Sequence, residues 1–456
     1  MSGLYGSLSV ALSSLMANQQ AMETSANNVA NANTPGFSRQ RPVFEPGDPV
    51  IVGSLSYGTG VSLEKLESLR DPILEIRIAQ ETQQQGKLDA SNSALQQIQI
   101  MFSSAESGIG DAITKFFDTL QQLSTDPSNL ALRQGVLTAA GNLANAFNQT
   151  AANLDSQRAN LDLNVTQTVN EVNTLTGQIA ALNQQITNLE NVNEDASAFL
   201  DKRTNLIRQL SGLVDVSVIQ TDHGISLTTS NGTPLVTEGT SFPLTTALGS
   251  GAQQHVFSQT KDVTDFFTGG KLGGLLEVRD SSIPALQGNL DQLAAGLATA
   301  LNTAHSAGFD LNGDPGVDLF VAPPTGGVGA AAGMAVAFTD PALIAASSDG
   351  TPGSNGNLAA LSAVHDSSVV GGQKPLDFYS RIVFQIGNDV SNSSADLDAA
   401  NLILQQLDDE RASVSGVSLD EEAANMVRYQ SAYQAAARVV TTVNEMLDAA
   451  VNLGRY

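Results

Sequence analysis

Between Tyr5 and Val29, apolar residues fall at Tyr5, Leu8, Leu12, Leu15, Met22, Ala26 and Val29 in alternating steps of three and four, with Gln19 the one polar residue in the series. That spacing predicts a helix with a heptad seam, about 40 Å long at the usual rise per residue. Its other faces carry Ser, Ala, Asn and Gln, and Glu23 is the one charged side chain among the first 38 residues. A helix solvated on its outer side normally displays charges there. The pattern therefore predicts a helix touched on several sides by other polypeptide.

The opposite end repeats the arrangement. Ser418 and Glu421 have capping-box spacing, and the acids from Asp420 to Glu422 sit at the positive end of the helix dipole. A seam follows at Leu419, Met426, Tyr433, Val440 and Leu447, interleaved with Tyr429, Ala436, Val443 and Ala450, and no Pro or Gly interrupts it before Gly454. Leu8, Leu12, Leu15, Met22 and Val29 against Met426, Tyr433, Val440, Val443 and Leu447 are the candidate coiled-coil and subunit-interface residues. Periodicity alone fits a coiled coil and an ordinary two-helix packing equally well.

Between the ends the texture changes several times. Thr34-Pro35-Gly36-Phe37 has the chemistry of a type II turn, and Pro42, Pro46 and Pro49 then stop any helix. Residues 37–62 read as an extended arm with short strands. Residues 63–104 read as helical, with a break at Ser107-Gly108, a short helix at 109–123, and a very long helical region opened by Asp126-Pro127. Inside the last, Val165, Val172, Ile179 and Ile186 alternate with Leu175, Leu182 and Leu189, a pattern that favours two-stranded packing. A further helix is expected from Ala196 to Leu210, ending at Gly212. Period-two runs such as VDVSVIQ and GISLTT mark 213–270 as β. Helical pattern returns over 272–307, 309–357 read as Gly/Pro-rich loops, and helix resumes near Pro375. The fold class expected is mainly α with a β insert: a terminal α-helical coiled coil, a long-helix bundle as middle domain, and a small central β domain. The boundaries expected are 1–62 and 412–456 for the terminal part, 63–212, 272–308 and 358–411 for the helical middle, and 213–271 with 309–357 for a β- and loop-rich outer part.

Composition narrows the function. Asp and Glu number 46 against 21 Lys and Arg, a net charge of −25, so no basic stripe exists for nucleic acid. Cysteine is absent, which removes disulfides, thiolate chemistry and Cys-based metal sites. The start lacks a basic n-region and an unbroken apolar core, so no cleavable signal peptide is expected, and no apolar run is long enough to span a membrane. Signal-less export fits such a chain, and a cysteine-free one would suit passage as an unfolded thread.

No catalytic, cofactor or metal site is predicted. Asp310, Asn312 and Asp314 begin like a calcium loop, but Pro315 and Val321 stand where an EF-hand needs Gly and Glu, so a plain turn is expected. TGGKLGG at Thr268 to Gly274 lacks the order of a phosphate-binding loop and reads as a hairpin or helix-entry turn. His223, His255, His305 and His365 show no metalloprotease spacing. The acidic pairs Asp408-Asp409 and Glu421-Glu422 read as solvated or dipole-related.

The stretch from Ala11 to Phe37, containing NNVANANTPGF, resembles the N-terminal motif of bacterial flagellar axial proteins: rod, hook and hook-associated. Asn27, Asn28, Asn31, Asn33, Thr34, Pro35, Gly36 and Phe37 carry it. EEAANMVRYQSAYQAAARVVTTVNEMLDAAVNL resembles the matching C-terminal motif, and FLDKRTNLIRQLSGLVDVSV with GGLLEVRDSSIPALQGNLDQLA resembles the hook-associated branch. The resemblance implies a structural subunit that stacks in a ring with copies of itself at the junction of hook and filament. Its partners would be the hook protein, the next hook-associated junction protein and an export chaperone on the C-terminal helix, with no membrane or nucleic-acid role. The alternatives are another axial subunit (hook or distal rod), or, from a different class, a secreted coiled-coil adhesin or effector.

Overall fold

The computed structural model describes residues 2–52, 55–102, 108–192, 194–221, 224–249 and 253–453. Ser107, His223 and the segment from Gly454 lie outside the described residues. In chain order the elements are α1 (Ser2–Ala30), β1 (Gln40–Pro46), β2 (Val50–Val52), β3 (Leu55–Tyr57), β4 (Val61–Ser68), α2 (Pro72–Phe102), α3 (Ile109–Leu123), α4 (Leu130–Asn191) and α5 (Ser197–Leu213). Strands β5 (Ser217–Thr221), β6 (Gly224–Thr228), β7 (Pro234–Thr237), β8 (Thr240–Ser241), β9 (Leu244–Leu248), β10 (Gln254–Ser258) and β11 (Lys261–Asp262) follow. The chain closes with α6 (Gly270–Glu277), α7 (Ile283–Ser306), α8 (Gly356–Ala363), α9 (Pro375–Ser415) and α10 (Leu419–Leu453). The fold is mainly α with small antiparallel sheets.

The chain forms two compact units. The first comprises 1–84, 171–244 and 400–456, the second 85–170 and 245–399. Of the β material, β5 to β8 form one antiparallel sheet in the first unit, while β10 and β11 belong to the second.

The helical expectation for 63–104 fails over its first residues. Val61 to Ser68 is β4, paired antiparallel with β1 from Gln40↔Ser68 to Pro46↔Val61. Leu63 and Leu66 have helical spacing, but pairing with a strand some twenty residues upstream decides the outcome, and no local pattern reports it. The helix begins afterwards, where Asp71 Oδ1 accepts from the amides of Ile73 (2.9 Å) and Leu74 (3.2 Å) and Pro72 takes the first turn. A similar shift applies to α4. Its cap is Asn129, whose Oδ1 accepts from Ala131 N at 2.9 Å, not Asp126.

In the first unit the predicted β-branched seam of α4 is buried at Val172, Ile179 and Ile186. Buried Asn183 interrupts it with its side-chain bonds satisfied. Asn183 donates to the carbonyls of Ile225 (3.1 Å) and Glu238 (2.7 Å) and accepts from Arg203 Nη1 (3.0 Å), which ties the β5–β8 sheet to the helix. Burial, with the nearby charge of Arg70, pulls Arg203 down to about 10. Asn173 clamps Leu244 at two points, donating to its carbonyl (2.7 Å) and accepting from its amide (2.8 Å). A separate apolar cluster joins Leu74 and Ile78 of α2 to Leu404 and Leu407 of α9.

The second unit is an apolar core of ordinary kind. Helix α3 buries Ile109, Ile113, Phe116, Phe117, Leu120 and Leu123 on one face, and α7 buries Leu290, Leu293, Leu297 and Leu301 at helical spacing. Phe116 meets Phe320 edge to face, ring centroids 6.1 Å apart. Between α6 and α7 the helix takes one π turn at Val278–Ser282, next to Pro284, which cannot donate the expected backbone bond. Residues 309–347 have isolated bridges and no regular strand. Buried side chains satisfy their backbone instead. Arg133, 1% exposed, donates to the carbonyls of Pro127, Pro341, Ala342 and Ile344. His305 donates from Nδ1 to Val317 O and accepts at Nε2 from Ala345 N (2.9 Å). Asn302 clamps Phe320 at two points, both 2.8 Å.

Candidate functional site: the paired chain ends

Helices α1 and α10 pack on each other, and β1 and β4 also pack on α1. Their direction follows from contacts along β1. Asn28, near the end of α1, meets Gln40, while Val61, opposite Pro46 at the other end of the strand, donates its amide N–H to Ser13 Oγ at 3.3 Å. On α10 the same strand meets Glu422 through Arg39 and Tyr429 through Phe44. The strand therefore runs antiparallel to α1 and parallel to α10, and the two helices are antiparallel.

The seam of α10 is buried every seventh residue: Glu422 is 2% exposed, Tyr429 8%, Ala436 7% and Val443 5%. This is the interleaved series, with a carboxylate as its first member. Val440 and Leu447 are half-buried, and Met426 and Tyr433 are exposed in the single chain. On α1 the buried positions are small or polar: Ala11, Ala17, Ala21, Thr24, Ser25 and Asn28. Leu8, Leu15 and Met22 are half-buried, while Leu12 and Val29 are exposed.

The motif after α1 is a built corner. Asn28, buried, makes the same two-point clamp seen twice above, donating to Gln40 O (2.8 Å) and accepting from Gln40 N (2.9 Å). Asn31 reaches back to Asn27 Oδ1 (2.7 Å), and Thr34 Oγ1 donates to Asn31 Oδ1 (3.2 Å). Asn27, Asn33, Thr34 and Pro35 are exposed, and Phe37 is half-buried. Phe37 N donates to Thr34 O (3.2 Å) and Gly36 sits at φ +80°, the type II turn that Pro35-Gly36 predicts.

Residues distant in sequence hold this corner, and no motif announced them. Asp201 Oδ2 accepts from Ser38 N (3.1 Å) and its Oδ1 pairs with Arg70 (3.2 Å). Arg411 donates to Gly36 O (3.1 Å) and pairs with Glu75 (2.6 Å). Arg39 N donates to Ser415 O (2.9 Å), and its guanidinium pairs with Glu422 (2.7 Å) and Glu421 (2.5 Å). The reading of Glu421-Glu422 as a solvated, dipole-related pair is thus corrected for Glu422, which is buried, while Glu421 stays exposed in the first turn of α10. Glu421 also makes only half a capping box: its amide donates to Ser418 Oγ at 3.4 Å while its carboxylate goes to Arg39. Burial lowers the Arg39 pKa, and hydrogen bonds and charge from the two glutamates more than offset it, leaving it raised. Of the other acidic pair, Asp408 takes a two-point bond from Arg208, 2.7 and 2.6 Å.

Elsewhere the candidate chemistry resolves into structure. Asp310 Oδ1 accepts from the amides of Asn312 (2.8 Å) and Asp314 (2.9 Å), which is a turn closing on itself. Gly269 and Gly270 open α6. His255 pairs with Asp262, His305 is locked as above, and His365 meets Phe117 edge to face. Among the described residues no group of three His, Cys, Asp or Glu is placed to hold a metal, and no helix is long and apolar enough to cross a membrane.

Both ends match models of flagellar axial proteins: the flagella basal body rod protein model over residues 8–37 and the flagellar basal body rod FlgEFG protein C-terminal model over 410–453. The middle matches the flagellar hook-associated protein FlgK helical domain over 95–320. Flagellar hook-associated protein 1 of Bacillus subtilis (strain 168) is 28% identical, the alignment covering 99% of each chain. That of Escherichia coli (strain K12) is also 28% identical, covering 97% of this chain and 98% of the relative. The flagellar hook junction protein FlgK from Burkholderia pseudomallei shares the fold, with a TM-score of 0.67 at 18% identity over 74% of this chain and 100% of that one. Paired ends of this type define the class, the axial proteins of the flagellum. Within it, the chain belongs to the flagellar hook-associated protein 1 family.

Proposed function

We propose that this chain is the structural adaptor subunit between flagellar hook and filament, assembled through its terminal helices into a ring of copies of itself. One observation carries the reading. The helices that pair with each other still leave large apolar side chains in water, with Tyr5 60%, Met16 61% and Val427 63% exposed. Apolar surface of this extent on the two paired helices fits contact with neighbouring subunits. Leu12, Val29, Met426 and Tyr433 face neighbours in this proposal, and Leu8, Leu15, Met22, Val440, Val443 and Leu447 hold the pair together. The division into a tube-forming part (1–62 and 412–456), a helical middle and a β- and loop-rich outer part belongs to the same proposal.

The chain works in the flagellum as its family does. Export without a cleavable signal, a chaperone on α10, and contact with the hook protein below and the next hook-associated protein above complete the reading. Its relatives are structural proteins, and a purely structural role without catalysis is proposed here too. The test is electron microscopy of cells with the gene deleted in frame, together with an assay of flagellin in the medium. Bare hooks with secreted, unpolymerised flagellin are expected. Loss of the hooks themselves would move the chain to a hook or rod role, and intact filaments would overturn the proposal.

A further inference from the structure

The pairing of α1 with α10 raises a problem of register. The α1 side of the packing offers Ala11, Ala17, Ala21, Thr24 and Ser25, small side chains that look alike from one turn to the next. The α10 side repeats every seven residues at 422, 429, 436 and 443. A slide of one heptad would bring Tyr429 to the place of Glu422 and Ala436 to that of Tyr429. On the α1 side, knobs as small as Ala and Ser add little to the cost of that slide, which falls on the α10 members that differ most, Glu422 and Tyr429.

Glu422 breaks the degeneracy. It is the charged member of the buried series, and its carboxylate meets Arg39 at 2.7 Å. Arg39 cannot follow a sliding helix. Its amide is bonded to Ser415 O, its carbonyl accepts from Leu69 N (2.8 Å), and the next residue, Gln40, is clamped by Asn28. After a slide Arg39 would face an aromatic ring, and a carboxylate would sit buried without its cation. A buried charge left without its partner is among the costlier defects a fold can carry, and a lone polar residue in a helical seam is the best attested means of fixing register.

We propose that the Arg39–Glu422 pair is the register lock of the terminal helix pair, a positioning contact that decides which turn of α10 faces which turn of α1. The proposal rests on the paired ends being the working part of the chain. Glu421, whose side chain is 62% exposed, supports the lock from the rim.

The absence of native cysteine makes register directly readable. Phe44 and Tyr429 face each other with ring centroids 6.4 Å apart, whereas a residue one heptad along α10 lies about 10 Å further on. Cysteines are placed in the purified full-length chain at Phe44 with Tyr429, or at Phe44 with Ala436, and joined with a short bismaleimide. With Arg39 and Glu422 intact, the first pair links within the chain and the second does not. Glu422→Gln, which keeps the side-chain shape, raises the out-of-register product on the order of tenfold. Arg39→Glu combined with Glu422→Arg returns the original pattern. Circular dichroism of each variant separates a slide from loss of the helices. Unchanged cross-linking in Glu422→Gln, helix loss without a slide, failure of the reversed pair to restore the pattern, or no link between positions 44 and 429 in the parent would each overturn the lock. This readout needs no flagellum, so its failure is distinct from a failure of the junction reading, which the deletion strain tests.

Discussion

The second compact unit and the paired chain ends solve the problem of holding helices together in opposite ways. Around α3 and α7 the buried residues are Phe and Leu, and each contributes about 1.5–3 kcal/mol by leaving water. Between α1 and α10 the buried residues are chiefly Ala, Ser, Thr and Asn, with one buried ion pair, while Tyr5, Met16 and Val427 stay outside. The first arrangement is complete within one chain. The second leaves several of its larger apolar side chains uncovered by the chain itself. Stability and assembly should therefore respond to different substitutions.

The largest stability loss is expected in the second unit. Leu301→Ala removes a fully buried side chain from α7 and should cost about 2–5 kcal/mol in urea unfolding. A loss under about 1 kcal/mol would break the contrast. Arg133→Met leaves the carbonyls of Pro127, Pro341, Ala342 and Ile344 without their donor. About 3 kcal/mol should be lost by the same assay, with amide exchange rising over 309–347 before the rest of that unit.

In the corner beside α1, Asn28→Ala leaves both polar groups of Gln40 unmatched and should cost about 1–3 kcal/mol. Exchange at residues 2–30 and 419–453 should quicken while α3 and α7 stay protected, and uniform quickening would contradict the separation. At the small end, Met16→Ser and Val427→Ser should change stability by about 0.5 kcal/mol or less yet reduce incorporation into flagella. Normal incorporation of the double variant would remove these side chains from the interface.

A pH effect sharpens the same comparison. Burial holds the His305 imidazole below its ordinary pKa. The bond to Val317 O and the charges of Asp318 and Asp310 oppose this, and Arg133 adds to it. The folded chain keeps this imidazole neutral, so the unfolded chain binds more protons as pH falls. The stabilisation is complete above about pH 6.5, the ordinary value, and declines as pH falls from there toward the lowered value in the fold. Urea midpoints should fall with acid over that range in the wild type, and His305→Gln should flatten the slope.

How much of this was legible depends on whether the deciding interaction is local. The turn at Gly36, the boundaries of α3 and the β-branched seam of α4 all follow from residues a few positions apart, and they read directly from the chain. Strand β4 did not, because LEKLESL satisfies a helical period and only pairing with β1 makes it a strand. Glu422 was misread for a related reason. An acid in a first helical turn has a sufficient local explanation in the dipole, which hid its partner nearly four hundred residues away. The charge pattern did hold a clue: Arg39 is the first cation in a chain start that is otherwise almost neutral. Asp201 and Arg411 gave no local signal, since each acts on backbone atoms of the corner.

The central claim is that the paired ends, and not the apolar second unit, build the assembly. It is tested by returning Val440→Asp to the deletion strain and counting filaments by electron microscopy, with amide exchange measured on the same purified variant. The account predicts bare hooks, flagellin in the medium, and undiminished protection of α3 and α7. Normal filaments on this variant would contradict it.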